Sequence, residues 1–354
     1  MNIYIKNLFA LVFLIASISC INQQSDKLTV TIDLNRNSKQ MLYSAFVDSL
    51  SYLSLNTGDS CLLSGVEKIY VDDDKLIIKD MMKGGIFIFD LNGLFIKQIN
   101  YYGSGPNEFV NIDAFAIDPQ LDQVCIYDGA SRRINRYTYD GSFVKSTRIE
   151  NVIRDFAVMP DDVTLFMMPS FRQGMPSGVW TADSENNMIK QLLDDVPVED
   201  QFEFIFTNYN QTDKGVYYYD RNWDKMSFIT KNKAVLNVQF DLKQRLPQDV
   251  RRSDNPDPSL LKEKAMMANF SVTAHYVILT YFTFGADSNP FHWVFVNKDD
   301  NSVIVTKFLN NDMDAELSTQ NYLFYVNETT LCRMLDSQEE DCNLRLQFLH
   351  LKNN

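Results

Sequence analysis

Three histidines in 354 residues are few for metal or general-base chemistry. None of His275, His292 and His350 stands in H-E-x-x-H or beside a G-x-S-x-G elbow. Basic side chains are also in the minority, with 33 Lys and Arg against 46 Asp and Glu, a formal charge of −13. Without Met1 to Ser19, which holds only Lys6, the balance is 32 against 46, or −14. A surface of that sign repels phosphate backbones, and no basic stripe with interleaved aromatics relieves it, so nucleic acid is excluded as a partner. Beyond Cys20 the chain has four cysteines, Cys61, Cys125, Cys332 and Cys342. They form neither C-x-x-C nor a Cys/His cluster, so nothing points to zinc. Glycine is sparse too, and the stretch YYGSGPNEF from Tyr101 puts Pro106 and Asn107 where a phosphate loop needs Gly-Lys-Ser/Thr before a helix. The segment after it alternates like a strand, so the glycines are read as a joint between two pieces of sheet. No cofactor is implied.

What is present begins at the N-terminus. MNIYIKNLFALVFLIASISC places Lys6 before the apolar run Leu8 to Ile15, then small residues, then Cys20. These are the proportions of a secretory signal, and the run is too short for a transmembrane span. Ser17-Ile18-Ser19-Cys20 resembles a lipobox, which makes residues 1–19 a lipoprotein signal, Cys20 the lipidated residue and 20–27 a tether. An ordinary signal peptide with an incidental cysteine is the alternative. The lipobox implies a bacterial protein held on a membrane, expected to be the outer one, with its domain in the periplasm or at the surface.

The rest of the chain is periodic. IFIFDLNGLFIKQI alternates on both sides of Asn92-Gly93, and INRYTYDGSFVKSTRI does so around Asp140-Gly141, as type I′ hairpins do. Weaker copies turn near Asn186, Asn232 and Asp300. The long last step holds an insertion at about 245–269 with a helical pattern over 259–267. Repeats of about 40 to 50 residues with four short strands each predict an all-β, six-bladed β-propeller with four-stranded antiparallel blades over residues 28–354. The terminal strand NLRLQFLHL has no following partner. Either Leu28 to Leu34 or Ser49 to Leu55 is expected to complete its blade and close the ring, since an open apolar edge invites aggregation.

Val124 to Val144, VCIYDGASRRINRYTYDGSFV, resembles an NHL repeat at Asp128, Arg133, Ile134, Tyr137, Asp140, Gly141 and Phe143. With the signal and Cys20, the chain looks like the six-bladed propeller lipoproteins, related to NHL and TolB-like propellers, of Gram-negative gut anaerobes. The resemblance implies a fold and a location rather than an activity. Asp128 and Arg133 are read as an intrablade brace. Cys332 and Cys342 face each other across an expected hairpin, where an oxidising compartment permits a disulfide, and two unpaired core thiols are the other reading. Asp72-Asp73-Asp74 and Asp299-Asp300 lie at turns, where Asp serves the backbone.

Propellers place ligands at the channel mouth. Taken at the starts of the inner strands, the candidates are Glu67, Asn111, Asp113, Arg154, Asp155, Asn208, Asn269 and Asn321. Two functions follow. The first is a monomeric, non-catalytic scaffold that binds a protein or glycan at the envelope, with the aromatic stretch Phe202 to Tyr219 as a sticky rim or as packed strands. The second is a metal-assisted hydrolase or lyase, because lactonase-like propellers hold calcium in just such a ring of Glu, Asn and Asp. No catalytic residue or other metal ligand is assigned.

Overall fold

A computed structural model describes residues 28–36, 40–56, 63, 65–82, 84–161, 163–168, 176–194, 209–220, 223–253, 255–286, 289–314, 316, 322–335 and 344–353. Six antiparallel sheets stand radially around one axis. From the axis outward, blade 1 is Val66–Asp72, Lys75–Asp80, Ile86–Asp90 and Phe95–Ile99, and blade 2 is Ala114–Asp118, Gln123–Asp128, Arg133–Thr138 and Phe143–Arg148. Blade 3 is Asp155–Met159, Val163–Met168, Gly178–Ala182 and Met188–Leu193. Blade 4 is Tyr209–Gln211, Val216–Asp220, Lys225–Ile229 and Ala234–Leu242. Blade 5 is Ala265–Val272, Tyr276–Thr283, Phe291–Asn297 and Val303–Thr306.

Blade 6 takes Phe324–Asn327, Thr330–Leu335 and Arg345–Leu351 from the C-terminus and its outermost strand, Val47–Ser54, from near the N-terminus. The expected closure is therefore made by the second of the two candidate strands. The first, Thr29–Ile32, joins blade 4 as a fifth strand, parallel to Gln239–Leu242. Between them Met41–Leu42 pairs with Leu309–Asn310, so the N-terminal segment runs past blade 5 on its way to blade 6.

Strand alternation explains how the blades pack. The middle strands KLIIKD and IFIFD are continuous apolar runs because both of their faces are covered. Ile77 and Ile88 face blade 2 and join Phe109, Phe115, Ile126 and Tyr137. Leu76, Ile78, Phe87 and Phe89 point the other way and meet Leu53, Phe324 and Leu346 of blade 6. Phe109 is fully buried between blades 1 and 2, which makes the glycine stretch a joint. Its tight part is held by the Glu108 carboxylate, which accepts from the Gly105 N–H at 2.8 Å.

Three local expectations need correction. The turns at Asn92-Gly93 and Asp140-Gly141 are not type I′, since only the glycines have positive φ, at +83° and +84°. Asp90 holds the first by accepting from the N–H groups of Asn92 and Leu94, and Asp140 holds the second through the Ser142 N–H. The first turn thus has a carboxylate at its opening position and the second has Thr138 there with Asp140 inside it, and in both a type I turn is followed by a glycine in the left-handed region. The insertion holds two short helices, α1 (Gln248–Arg251) and α2 (Pro258–Leu261). The helical pattern ends at Leu261, and Ala265 to Met267 already belong to the fully buried inner strand of blade 5.

Leu346 is fully buried in the seam between blade 6 and blade 1. Leu346→Ala is expected to cost about 2–5 kcal/mol, measured by urea unfolding. The loss should leave one cooperative transition, because blade 6 joins the C-terminal strands to Val47–Ser54 from near the N-terminus. A separate early transition for the C-terminal strands would contradict closure.

Candidate functional site

The six inner strands surround an axial cavity of about 500 Å³, a size common for small-ligand sites. Blade 1 lines it along residues 66–72, and blade 4 along 209–213. Blades 2 and 3 contribute only the ends of their inner strands and the turns that follow, residues 117–120 and 158–160. Blade 5 gives Asn269, and blade 6 gives Tyr322 and residues 324–328. The mouth therefore lies at the ends of the inner strands, opposite to the face expected from the sequence.

The reason is a charged group on the axis. Lys68 projects inward from blade 1, and its ammonium donates to the Phe115 carbonyl of blade 2 at 3.1 Å and to the Tyr209 hydroxyl of blade 4 at 3.0 Å. Asp155 of blade 3 stands 3.8 Å away. Three rings wrap the ammonium, with centroids at 4.3 Å for Tyr209, 5.1 Å for Tyr70 and 5.5 Å for Phe115. Tyr209 passes its own proton to the Phe156 carbonyl at 2.7 Å, so Tyr70 is the donor in the 2.7 Å contact between the two hydroxyls. One lysine thus ties four blades together and fills the axis beside the early residues of the inner strands of blades 2 and 3.

The electrostatics follow from this geometry. Burial works to lower the Lys68 pKa but is outweighed by Asp155 and Tyr70, so the net displacement is upward from 10.5. For Asp155 burial is the larger effect and raises the carboxyl above 3.8 in spite of Lys68. The two directions are compatible, since the lysine has a carbonyl and hydroxyls to hold its charge, whereas the carboxylate accepts the Phe156 N–H, and Lys68, Arg154 and Lys79 act on it as charges that do not offset its burial. Burial likewise pushes Tyr209 well above 10, and Tyr70 upward.

The residues expected at the mouth divide. Glu67 and Asn269 line the cavity, but Glu67 accepts from Lys79 at 2.7 Å and the Asn269 amide donates to the Leu323 carbonyl of the next blade at 2.9 Å. Asp155 is one of the Lys68 contacts. Asn111 and Asp113 are exposed on the joint into blade 2, where the Asp113 carboxylate accepts from the Gly129 N–H. Arg154 is half-buried outside the cavity, while Asn208 and Asn321 lie outside the described residues, as do Cys20, Cys61 and Cys342. Among the described residues the predicted ring is thus not brought together, because polar groups at the strand starts serve joints and seams. Among the described residues no three His, Cys, Asp or Glu side chains are placed to hold a metal ion.

Other assignments also shift. Asp128 and Arg133 are opposite each other in register, yet they do not form the brace. The Asp128 carboxylate accepts from Val110 N–H and from Ser131, tying down the joint, whereas Arg133 donates to Ser146 Oγ. Burial works to raise the Asp128 pKa, but these hydrogen bonds outweigh it and hold the carboxyl below its ordinary value. The buried ion pair of blade 2 is Arg136 with Asp118, at 2.8 Å. Cys332 is a buried free thiol. Of the aromatic stretch, Tyr209 and Tyr219 are buried and Tyr217 and Tyr218 half-buried, so the described part is packed strand. His292 is buried in blade 5 against Thr283, and burial pushes its pKa down to about 4.

Lys68→Met leaves Asp155 buried without its cation, and is expected to cost about 3–5 kcal/mol by urea unfolding. Lys68→Met combined with Asp155→Leu should recover most of that loss. The pH dependence has a definite sign. A folded-state pKa raised above the unfolded one contributes stability that is present below the unfolded value and lost as pH rises through the folded value. Lys68, Tyr70 and Tyr209 all shift upward from 10.5, 10.0 and 10.0. Stability should therefore fall above about pH 10, and less steeply in Lys68→Met.

The fold has relatives among solved structures. A protein of Bacteroides fragilis described as exported superposes with a TM-score of 0.73 at 16% identity, covering 92% of this chain and 100% of its own. A member of the DUF4221 family from Bacteroides vulgatus superposes with a TM-score of 0.53 at 12% identity, covering 86% and 97%. At such identities the likeness is one of fold. No curated protein matches the chain significantly. The model of the domain of unknown function DUF4934 matches residues 29–352, nearly the whole chain, and the protein belongs to that family.

Proposed function

We propose that the protein is an exported, lipid-anchored propeller that binds a partner at the cell envelope and does not transform it. The observation that carries this reading is the axial cavity, a ligand-sized space at the meeting point of six blades. Several of its charged groups are already committed within the protein. Glu67 is paired with Lys79, Asp118 with Arg136, and Lys68 with Asp155. The metal-assisted alternative is not favoured, since the described members of the ring of carboxylates and amides it requires do not converge. A protein or glycan at the envelope remains the partner class, and the protein acts as a monomer.

The location rests on the signal-like N-terminus, on Cys20, and on the exported description of the Bacteroides fragilis neighbour. No helix among the described residues is long and apolar enough to cross a membrane. Acyl chains on Cys20 supply the attachment in this reading, with the propeller in the periplasm or at the surface. Kinship to NHL and TolB-like propellers fits the blade 2 motif and the same address.

Cells fed an alkyne-tagged palmitate should label the wild-type chain and retain it in the membrane fraction. Cys20→Ala should abolish the label and release the domain. Equal labelling of both would sink the anchoring. For binding, cross-linking in intact envelopes should capture a reproducible partner, and Val326→Trp, which fills the cavity wall, should remove it. Capture unaffected by Val326→Trp would place the binding surface elsewhere.

A further inference from the structure

The charge of the cavity changes along the axis. At the floor, the ammonium of Lys68 donates to the Phe115 carbonyl and the Tyr209 hydroxyl, and its charge is balanced by Asp155. At the mouth, Asp72, Asp213 and Glu328 come from blades 1, 4 and 6. Asp213 and Glu328 have no ion pair among the described residues, and Asp72 is held by the Tyr139 hydroxyl rather than by a cation. Lys298 is the nearest compensation for Glu328, but its ammonium donates to the Thr273 carbonyl at 2.8 Å and is half-buried beside the Tyr217 ring. Neighbouring groups register the resulting field. Burial raises the Asp72 carboxyl against the opposing Tyr139 hydrogen bond, with smaller upward pushes from Asp73, Asp122 and Asp118, and after burial Glu328 and Asp213 push the Tyr325 hydroxyl upward. Blade 6 adds the aromatic side chains of Phe324 and Tyr325 to the lining.

We propose that the axial cavity binds an organic cation, an amine or guanidinium carried on an apolar or ring-shaped body. The charge sits at the mouth near Asp72, Asp213 and Glu328, and the body lies inward against Phe324 and Tyr325. Carboxylates and aromatic faces together favour such a group, while the same mouth repels anions. The Lys68 cage shows the same chemistry satisfied internally, since an ammonium is held there by three rings and a carboxylate. The inference rests on the cavity being the binding site. An arginine or lysine side chain of a protein partner and a free amine share this chemistry.

The test compares probes of one shape and different charge on the intact lipid-free domain by ligand-observed NMR and calorimetry. Benzylamine should bind about tenfold more tightly than benzyl alcohol, benzoate should not bind, and added salt should weaken the amine. Acetyl-Gly-Arg-Gly-amide is the second cationic arm. A tighter peptide identifies a protein side chain as the source, and a tighter benzylamine identifies a free amine. Asp213→Asn with Glu328→Gln changes two groups that brace no other side chain, and should remove the preference for benzylamine while leaving benzyl alcohol unchanged and the urea midpoint intact. Equal affinity for amine and alcohol, with both lost in Val326→Trp, overturns the charge preference and leaves the cavity as a binding site. No saturable binding of any probe, with envelope capture insensitive to Val326→Trp, overturns both.

Discussion

Closure of the ring by a strand from the other end of the chain is the constraint on which the rest depends. Val47–Ser54 lies along Arg345–Leu351 through seven paired positions, from Ser54 opposite Arg345 to Val47 opposite Leu351. Without it the last blade would expose an unpaired apolar edge, and blade 1 would lose the surface against which Ile78, Phe87 and Phe89 are buried. Closure also fixes how closely the inner strands approach the axis. The Lys68 contacts and the cavity exist only because blades 1 to 4 are held at that radius.

Six inner strands leave more room on the axis than backbone contacts can fill, and the chain fills it asymmetrically. Beside Phe115 and Asp155 the filling is Lys68 with its carbonyl, hydroxyls and carboxylate, and beyond that level it is empty space. A buried lysine costs desolvation, which the four partners offset only because each comes from a different blade and none is free to move away. Amide side chains work the same way at the seams. Gln211 reaches from blade 4 to the Val158 carbonyl of blade 3, and Asn210 accepts from Val272 N–H of blade 5. Polar residues near the axis are thus mainly staples between blades, so polarity at strand starts says little about ligands.

Much of the fold was legible in the sequence because its signals are local. Alternation around Asn92-Gly93 and Asp140-Gly141, repeated at a near-constant spacing, gives the blades, and the unpartnered last strand requires an N-terminal neighbour. The fate of Thr29–Ile32 was not legible, since alternation marks a strand without saying which of several open outer edges it will cover. The turn type was misread because Asn-Gly and Asp-Gly suit both classes, and the choice is made by Asp90 and the backbone carbonyls around it. The site was less legible still. Lys68 sits in the inner strand VEKIYVD, where a single basic residue among apolar ones was the available signal, but its partners lie 47, 87 and 141 residues away. Pairing of Asp128 with Arg133 failed for a similar reason, as the joint before the inner strand reaches Asp128 first.

The route of the N-terminal segment bears on how the cavity can be approached. The chain enters the domain at the outer edge of blade 4, where the Leu28 carbonyl accepts from the Gln239 N–H at 2.9 Å. That point is on the rim of the ring, away from the axis. On the proposed anchoring, the eight residues from Cys20 to Leu28 span at most about 29 Å when extended, so the rim stays close to the bilayer. An attachment at the rim covers neither face of the ring. On that proposal the tether itself leaves the acidic mouth uncovered.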